Sequence, residues 1–352
     1  MTERMPQDDP EQLEGAAERL AREIGAAGSV RLFPLPGGGN NRVFRLEAGG
    51  FRGLLKAYFR HPDDPRDRLG AEFGFSTFAW SHGVRAIPRP LAQDRERGLG
   101  LYEFVEGRRP VPGEASADWV DQAIDFFLAV NRHRETPEAL RLPDASEACS
   151  SLGEHLSLVE ARVRRLDGIC GDSAVDLEAI RFARESLLPA WIRLASRFRR
   201  EAARRGFSLA ETLEPAARRI SPSDFGYHNA ILTGDGALRF VDFEYAGWDD
   251  PAKTICDFIC QPAVPAPVTA LDRFTASILE DCPRPERHRQ AVSLLLPLYR
   301  VKWCCIMLNE FQPAGKARRQ FAEGESSRQD RAEAQLDKAR RSLEFLLAEG
   351  ME

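Results

Sequence analysis

The spacing of apolar residues changes character several times along the chain. In Pro10–Gly25, Leu13, Ala16, Ala17, Leu20 and Ile24 fall on one face, which predicts an amphipathic helix. Val30–Leu35, Arg42–Leu46 and Gly53–Tyr58 alternate apolar and polar positions between the glycine-rich turns PGGGN and EAGG. That pattern predicts an antiparallel meander of three strands. Asp67–Ser81 returns to helical spacing, and Pro88–Leu91 and Gly98–Phe104 predict two further strands. From Ala117 onward the pattern is mainly helical: Asp118–Arg134, Leu152–Leu166, Asp176–Gly206, Leu209–Arg219, Thr269–Leu279, Arg287–Phe311 and Gln329–Leu347. One strand pair interrupts it. Ala230–Leu232 and Leu238–Val241 flank Thr233-Gly234-Asp235-Gly236, a strong hairpin signal. The expected fold class is α+β, with a β-rich lobe over 1–106, including a helical extension over 1–28, and a mainly helical lobe over 107–352. The breaker-rich stretch Glu106-Gly107-Arg108-Arg109-Pro110 sets the expected boundary.

Composition narrows the classes. A chain of 352 residues fits two lobes, and 43% hydrophobic with 29% charged residues allows a core without staples. A net charge of -5 argues against a protein devoted to nucleic acid. The apolar stretch Ala291–Phe311 is broken by Arg300 and Lys302, so it predicts a buried helix rather than a membrane span. The polar, acidic N-terminus lacks the apolar run of a signal peptide, and seven cysteines form neither a disulfide framework nor a paired zinc pattern. The expectation is a cytoplasmic chain with buried, reduced thiols and no membrane partner.

Five features carry candidate chemistry. Gly37-Gly38-Gly39-Asn40-Asn41 sits between two predicted strands, where missing Cβ atoms would let backbone N–H groups approach phosphate oxygens. Lys56 is the one lysine in the apolar strand Leu54-Leu55-Lys56-Ala57-Tyr58, and a lysine there needs a partner or a ligand. Glu72, in the following helix, would pair with it. In Ser221-Pro222-Ser223-Asp224-Phe225-Gly226-Tyr227-His228-Asn229, an aspartate is followed five residues on by an asparagine, the spacing of a kinase catalytic loop. Phe240-Val241-Asp242-Phe243-Glu244-Tyr245 ends the second hairpin strand with carboxylates suited to Mg²⁺. Taken singly, each has an ordinary explanation: a plain turn, a snorkelling edge lysine, a solvated helix glutamate, a turn aspartate. Together and in this order they are a phosphate cradle, a charge clamp, a nucleophile orienter and a metal site.

These residues make the chain resemble the aminoglycoside phosphotransferase and choline kinase family, a branch of the bilobal protein-kinase-like fold. The likeness runs from about Leu32 to Phe258 and is strongest at Asp224–Asn229 and Val241-Asp242-Phe243-Glu244. It implies an ATP- and Mg²⁺-dependent transfer of a γ-phosphate to a small-molecule hydroxyl. Asp224 would be catalytic, Asn229 and Asp242 would hold metal, and Glu244 is a further candidate. Gly37, Gly38, Gly39, Asn40, Asn41, Lys56 and Glu72 would bind the nucleotide. Leu101–Gly107 resembles the hinge, where the backbone of Glu103 and Val105 would meet adenine. Asp249-Asp250-Pro251 also fits the pattern, and Asp257 downstream would brace the catalytic loop. The chain departs from the family at Pro222, where a loop-supporting histidine is usual. That departure keeps a nucleotide-binding scaffold open as an alternative. Phe243-Glu244 after Asp242 argues against a protein kinase.

The acceptor is less legible. Arg193, Arg197, Arg200 and Arg204 form one helical stripe, which fits a sugar or sugar phosphate better than choline or an aminoglycoside, or else is a solvated face paired with Glu178, Glu185 and Glu201. Lys302, Trp303, Asn309 and Glu310 interrupt an apolar helix, and would face the acceptor or pair within the core. His228 would touch substrate or serve the loop.

Overall fold

The structure, a computed structural model, describes residues 10–36, 41–60, 64, 66–313 and 328–350. Gly37, Gly38, Gly39 and Asn40, expected to cradle phosphate, lie outside the described residues.

Five strands form one antiparallel sheet: β1 (Val30–Leu35), β2 (Arg42–Ala48), β3 (Phe51–Ala57), β4 (Pro90–Asp94) and β5 (Leu99–Glu103), in the order β1-β2-β3-β5-β4. Alternation along β3 sends Leu55 and Ala57 to one face and Lys56 to the other. The first face is covered by α1 (Pro10–Glu23), whose Leu13, Ala16, Ala17 and Leu20 pack on Phe44, Leu46, Leu55 and Leu101. The predicted stripe is therefore the face that α1 buries. Helix α2 (Arg68–Ser81) lies between β3 and β4 in the chain, capped by Asp67, whose carboxylate accepts from Gly70 N at 2.8 Å.

The remaining elements are largely helical. They are α3 (Ala117–Asn131), α4 (Pro137–Leu140), α5 (Leu152–Arg165), α6 (Ala174–Arg181), α7 (Leu188–Arg204), α8 (Pro251–Cys260), α9 (Ala270–Leu279), α10 (Pro285–Met307) and α11 (Arg328–Gly350). One π-helical stretch, Phe182–Leu187, joins α6 to α7 where the sequence predicts a single helix. Two small sheets interrupt the helices: β6 (Arg219–Ser221) pairs with β9 (Gly247–Asp249), and β7 (Ala230–Leu232) with β8 (Leu238–Phe240). Helix α10 is long and apolar enough to cross a membrane by composition, but it is the buried centre of the second core, packed by α5, α8 and α11.

Leu209–Arg219 is not the helix that its apolar spacing predicts. Leu209 O accepts from Gly153 N at 2.8 Å and Leu213 N donates to Ser150 O at 2.6 Å, so its backbone bonds go sideways to another segment. Pro215 then allows only a short 3₁₀ turn at Pro215–Ala217. The crossing between the two regions is pinned where Arg108 N donates to Leu232 O (3.1 Å) and Leu232 N to Arg108 O (2.8 Å). Gly107 permits this approach, since a Cβ there would lie 2.5 Å from Leu232 O.

Candidate functional site

The site begins on β3. Lys56 faces away from α1 and is buried, with only 6% of its side chain exposed. A buried ammonium needs compensating charge. It has two carboxylates: Nζ donates to Glu72 Oε2 on α2 at 2.6 Å and to Asp242 Oδ1 at the end of β8. Burial alone would pull its pKa down, but Asp242, Glu72 and Glu244 outweigh that and hold it well above the ordinary lysine range. Tyr58, just past the end of β3 and two residues on from Lys56, donates its hydroxyl to Glu72 Oε2 at 2.8 Å and shares a 2.7 Å bond with the Tyr102 hydroxyl. The sequence reading missed Tyr58, although its period-two spacing from Lys56 was a usable signal.

Asn41, the residue before β2, crosses to the opposite side of the cleft. Its Nδ2 donates to Glu244 Oε2 at 2.6 Å, and its Oδ1 accepts from Phe59 N at 3.0 Å. Both Asn41 and Glu244 are 2% exposed. Thus Lys56, Glu72, Asn41, Asp242 and Glu244 meet in one place.

Asp224 and Asn229 occupy the loop between β6 and β7. Asn229 Nδ2 donates to Asp224 O at 2.9 Å and to Asp224 Oδ2 at 3.2 Å, while Asn229 O accepts from Val241 N at 2.9 Å. The last bond ties the loop to the residue before Asp242. Asp224 keeps 36% of its side chain open. Burial pushes its carboxyl up, but His228, Asn229 and the Lys302 ammonium outweigh it and keep the pKa below the usual aspartate value. Ser223 (φ 63°) and Asp242 (φ 71°) are non-glycine residues in the left-handed region, a strained conformation that concentrates at working sites.

The loop is braced by Thr254 of α8. Its hydroxyl donates to Ser221 Oγ at 2.8 Å, and Ser221 Oγ accepts from Ser223 N at 3.0 Å. Asp257, expected to brace the loop, instead accepts two 2.7 Å bonds from Lys302 Nζ and one of 3.0 Å from Trp303 Nε1. Trp303 carries it toward the loop, standing edge-on to the His228 ring at 6.4 Å. Neither Ser221 nor Thr254 carries a pattern that the sequence alone exposes. Lys302 and Trp303 thus pair within the core, and Glu310 pairs with Arg331 of α11 at 3.1 Å. Arg193 and Arg200 of the arginine stripe are exposed, and Arg204 pairs with Glu201 at 2.6 Å as the solvated-face reading expects, whereas Glu178 pairs with Arg340.

Glu103 is exposed and closes β5: its N–H donates to Arg89 O at 2.8 Å and its carboxylate accepts from Arg89 N at 3.1 Å. Val105 lies two residues further, half-buried, outside any strand.

The donor set suits a hard cation. Asn229 turns its amide nitrogen to Asp224, which points Oδ1 elsewhere, and Asp242 uses Oδ1 for Lys56 and keeps Oδ2. No group of three or more Asp, Glu, His or Cys residues able to hold a metal forms among the described residues. Two such oxygens without a full protein cage would suit Mg²⁺, which keeps water and substrate phosphate in its shell.

Comparison with known proteins bears on the family and the fold. No curated protein matches the sequence. Several solved structures share the fold at low identity. A choline kinase from Cryptosporidium parvum is 13% identical, with 97% of each chain covered and a TM-score of 0.55. A choline/ethanolamine kinase family protein from Mesorhizobium loti is 17% identical, covering 95% of this chain and 99% of its own, at 0.54. A spectinomycin phosphotransferase solved with ADP and spectinomycin is 11% identical, covering 97% and 99%, at 0.61. A model of the phosphotransferase enzyme family matches residues 32–289. The kinase-like fold and that match, over most of the chain, lead to one statement: the protein belongs to the phosphotransferase enzyme family.

Proposed function

We propose that the protein transfers the γ-phosphoryl group of ATP to a hydroxyl of a small molecule, a sugar or related metabolite. The observation that carries this reading is Lys56 held between Glu72 and Asp242, with the Asp224–Asn229 loop tied to the same strand end. Lys56 grips the phosphates, and the Glu103–Val105 backbone receives the base. Asn229 and Asp242 would hold Mg²⁺, which would supply charge neutralisation on the phosphates. Asp224, kept ionised by its surroundings, accepts a hydrogen bond from the acceptor hydroxyl, aims its oxygen at the γ-phosphorus and takes its proton. Positioning and charge do most of the work in such a transfer.

The acceptor class follows from charge. Asp257, a buried acid close behind the loop, is already bonded to Lys302 and Trp303, and the Lys302 ammonium is near enough to lower the Asp224 pKa. Asp257, neutralised in this way, offers a polycationic acceptor no open carboxylate. An ATP-consumption screen over sugars, amino sugars, choline and aminoglycosides tests the reading. Stimulation by a neutral or anionic hydroxyl compound supports it. A Mg²⁺-dependent ATP melting shift with no transfer to any acceptor would establish a scaffold instead.

A further inference from the structure

His228 lies four residues after Asp224 and has no part in the steps above. Its Nε2 is 3.2 Å from Asp224 Oδ1. An ionised carboxylate can only accept, so the imidazole N–H donates. Asn229 Nδ2 donates to Oδ2 at 3.2 Å. Each carboxylate oxygen thus has its own donor, one on each side, which fixes the plane of the group. Each oxygen still has lone-pair capacity for an acceptor hydroxyl.

The His228 ring is itself held on two sides. Trp303 stands edge-on at 6.4 Å with an interplanar angle of 87°, and its indole N–H is anchored on Asp257 Oδ1 at 3.0 Å. On the other side is Gly226. His228 Nδ1 is buried with no hydrogen-bond partner, and a Cβ at residue 226 would lie 2.8 Å from it and 3.1 Å from Cε1. The backbone at Gly226 is extended, with φ 169°, a conformation any residue adopts. What excludes a side chain there is the imidazole itself. Upstream of Asp224, Pro222 offers neither a side-chain donor nor a backbone N–H.

We propose that His228 is the positioning residue of Asp224. It supports the loop from the downstream side, where Pro222 cannot from the upstream side, and Gly226 is kept small so that the ring can reach. The inference rests on the phosphotransferase reading for its kinetic consequence, but not for its geometry.

The test uses the full chain and Mg²⁺-ATP, with water as acceptor, following ADP release, and a non-hydrolysable ATP analogue for affinity. His228→Ala should lower kcat about 10- to 100-fold, the range of one lost hydrogen bond to a charged group, with the analogue Kd within about twofold of wild type. His228→Gln places an amide N–H near the former Nε2 and should recover most of the rate. Gly226→Ala should reproduce the loss by pushing the ring away, and should add little to His228→Ala. Full activity in His228→Ala or Gly226→Ala, or no recovery in His228→Gln, overturns the proposal. If the wild-type chain turns over no nucleotide, the phosphotransferase reading is in question, and crystal structures of the variants decide the link. An Asp224 carboxylate rotated in His228→Ala and in place in His228→Gln upholds it. A carboxylate unmoved in both overturns it.

Discussion

Asn41 and Glu244, 203 positions apart in the chain, are joined by a 2.6 Å hydrogen bond that neither side of the cleft makes alone. Asn41 is also fixed by Phe59 N–H, so the start of β2 is tied to the carboxylates that follow β8. Asn41→Ala removes a buried donor to a charge, worth about 1.5–3 kcal/mol. The expected result is a Kd for Mg²⁺-ATP raised about tenfold or more with kcat at saturation less affected. Nucleotide titration by calorimetry checks it, and an unchanged Kd would remove Asn41 from the nucleotide site.

Lys56 neutralises two acids in a place water barely reaches. Lys56→Met keeps the volume but leaves Glu72 buried beside Asp242 without a cation. Breaking a buried pair on one side costs about 3–5 kcal/mol. The denaturation midpoint should fall accordingly, and Lys56→Met/Glu72→Gln should recover part of the loss. Equal midpoints for wild type and Lys56→Met would contradict the burial of the pair.

Glu147 supplies a pH signature behind the acceptor side. Burial raises its carboxyl, but Arg162, Lys302 and Lys253 outweigh that and depress it to about 2. A carboxyl with a depressed folded pKa stabilises the fold fully above its unfolded value, near 4.5, and loses that contribution as pH falls toward 2. The contribution at pH 7 is on the order of 3 kcal/mol. Glu147→Gln should therefore narrow the stability gap between pH 7 and pH 3 by about 2 kcal/mol in urea titrations, because part of the contribution survives at pH 3, above the folded pKa of about 2. An identical pH profile for the two proteins would refute the assignment.

Much of this was legible in the sequence because local pattern and chemistry coincided. Lys56 stood out because a cation in an apolar strand is anomalous. Asp224, Asn229 and Asp242 stood out because a hairpin signal fixed their separation. What escaped was set by contacts between distant residues. The bidentate hold of Lys302 on Asp257 joins positions 45 apart with no periodicity to betray it. The loop brace at Ser221 and Thr254 is two hydroxyls 33 positions apart. Leu209–Arg219 misled because helical spacing of apolar residues also arises by chance in an extended segment, and only its backbone partners, Gly153 and Ser150, distinguish the two.

The central claim is that Asp224 handles the acceptor while Lys56, Asn229 and Asp242 handle the nucleotide. Its most direct test is Asp224→Asn, read by ADP release together with Mg²⁺-ATP affinity. The account predicts a fall in kcat of about 10²–10⁴-fold with Kd nearly unchanged. Turnover equal to wild type on the same acceptor would contradict it.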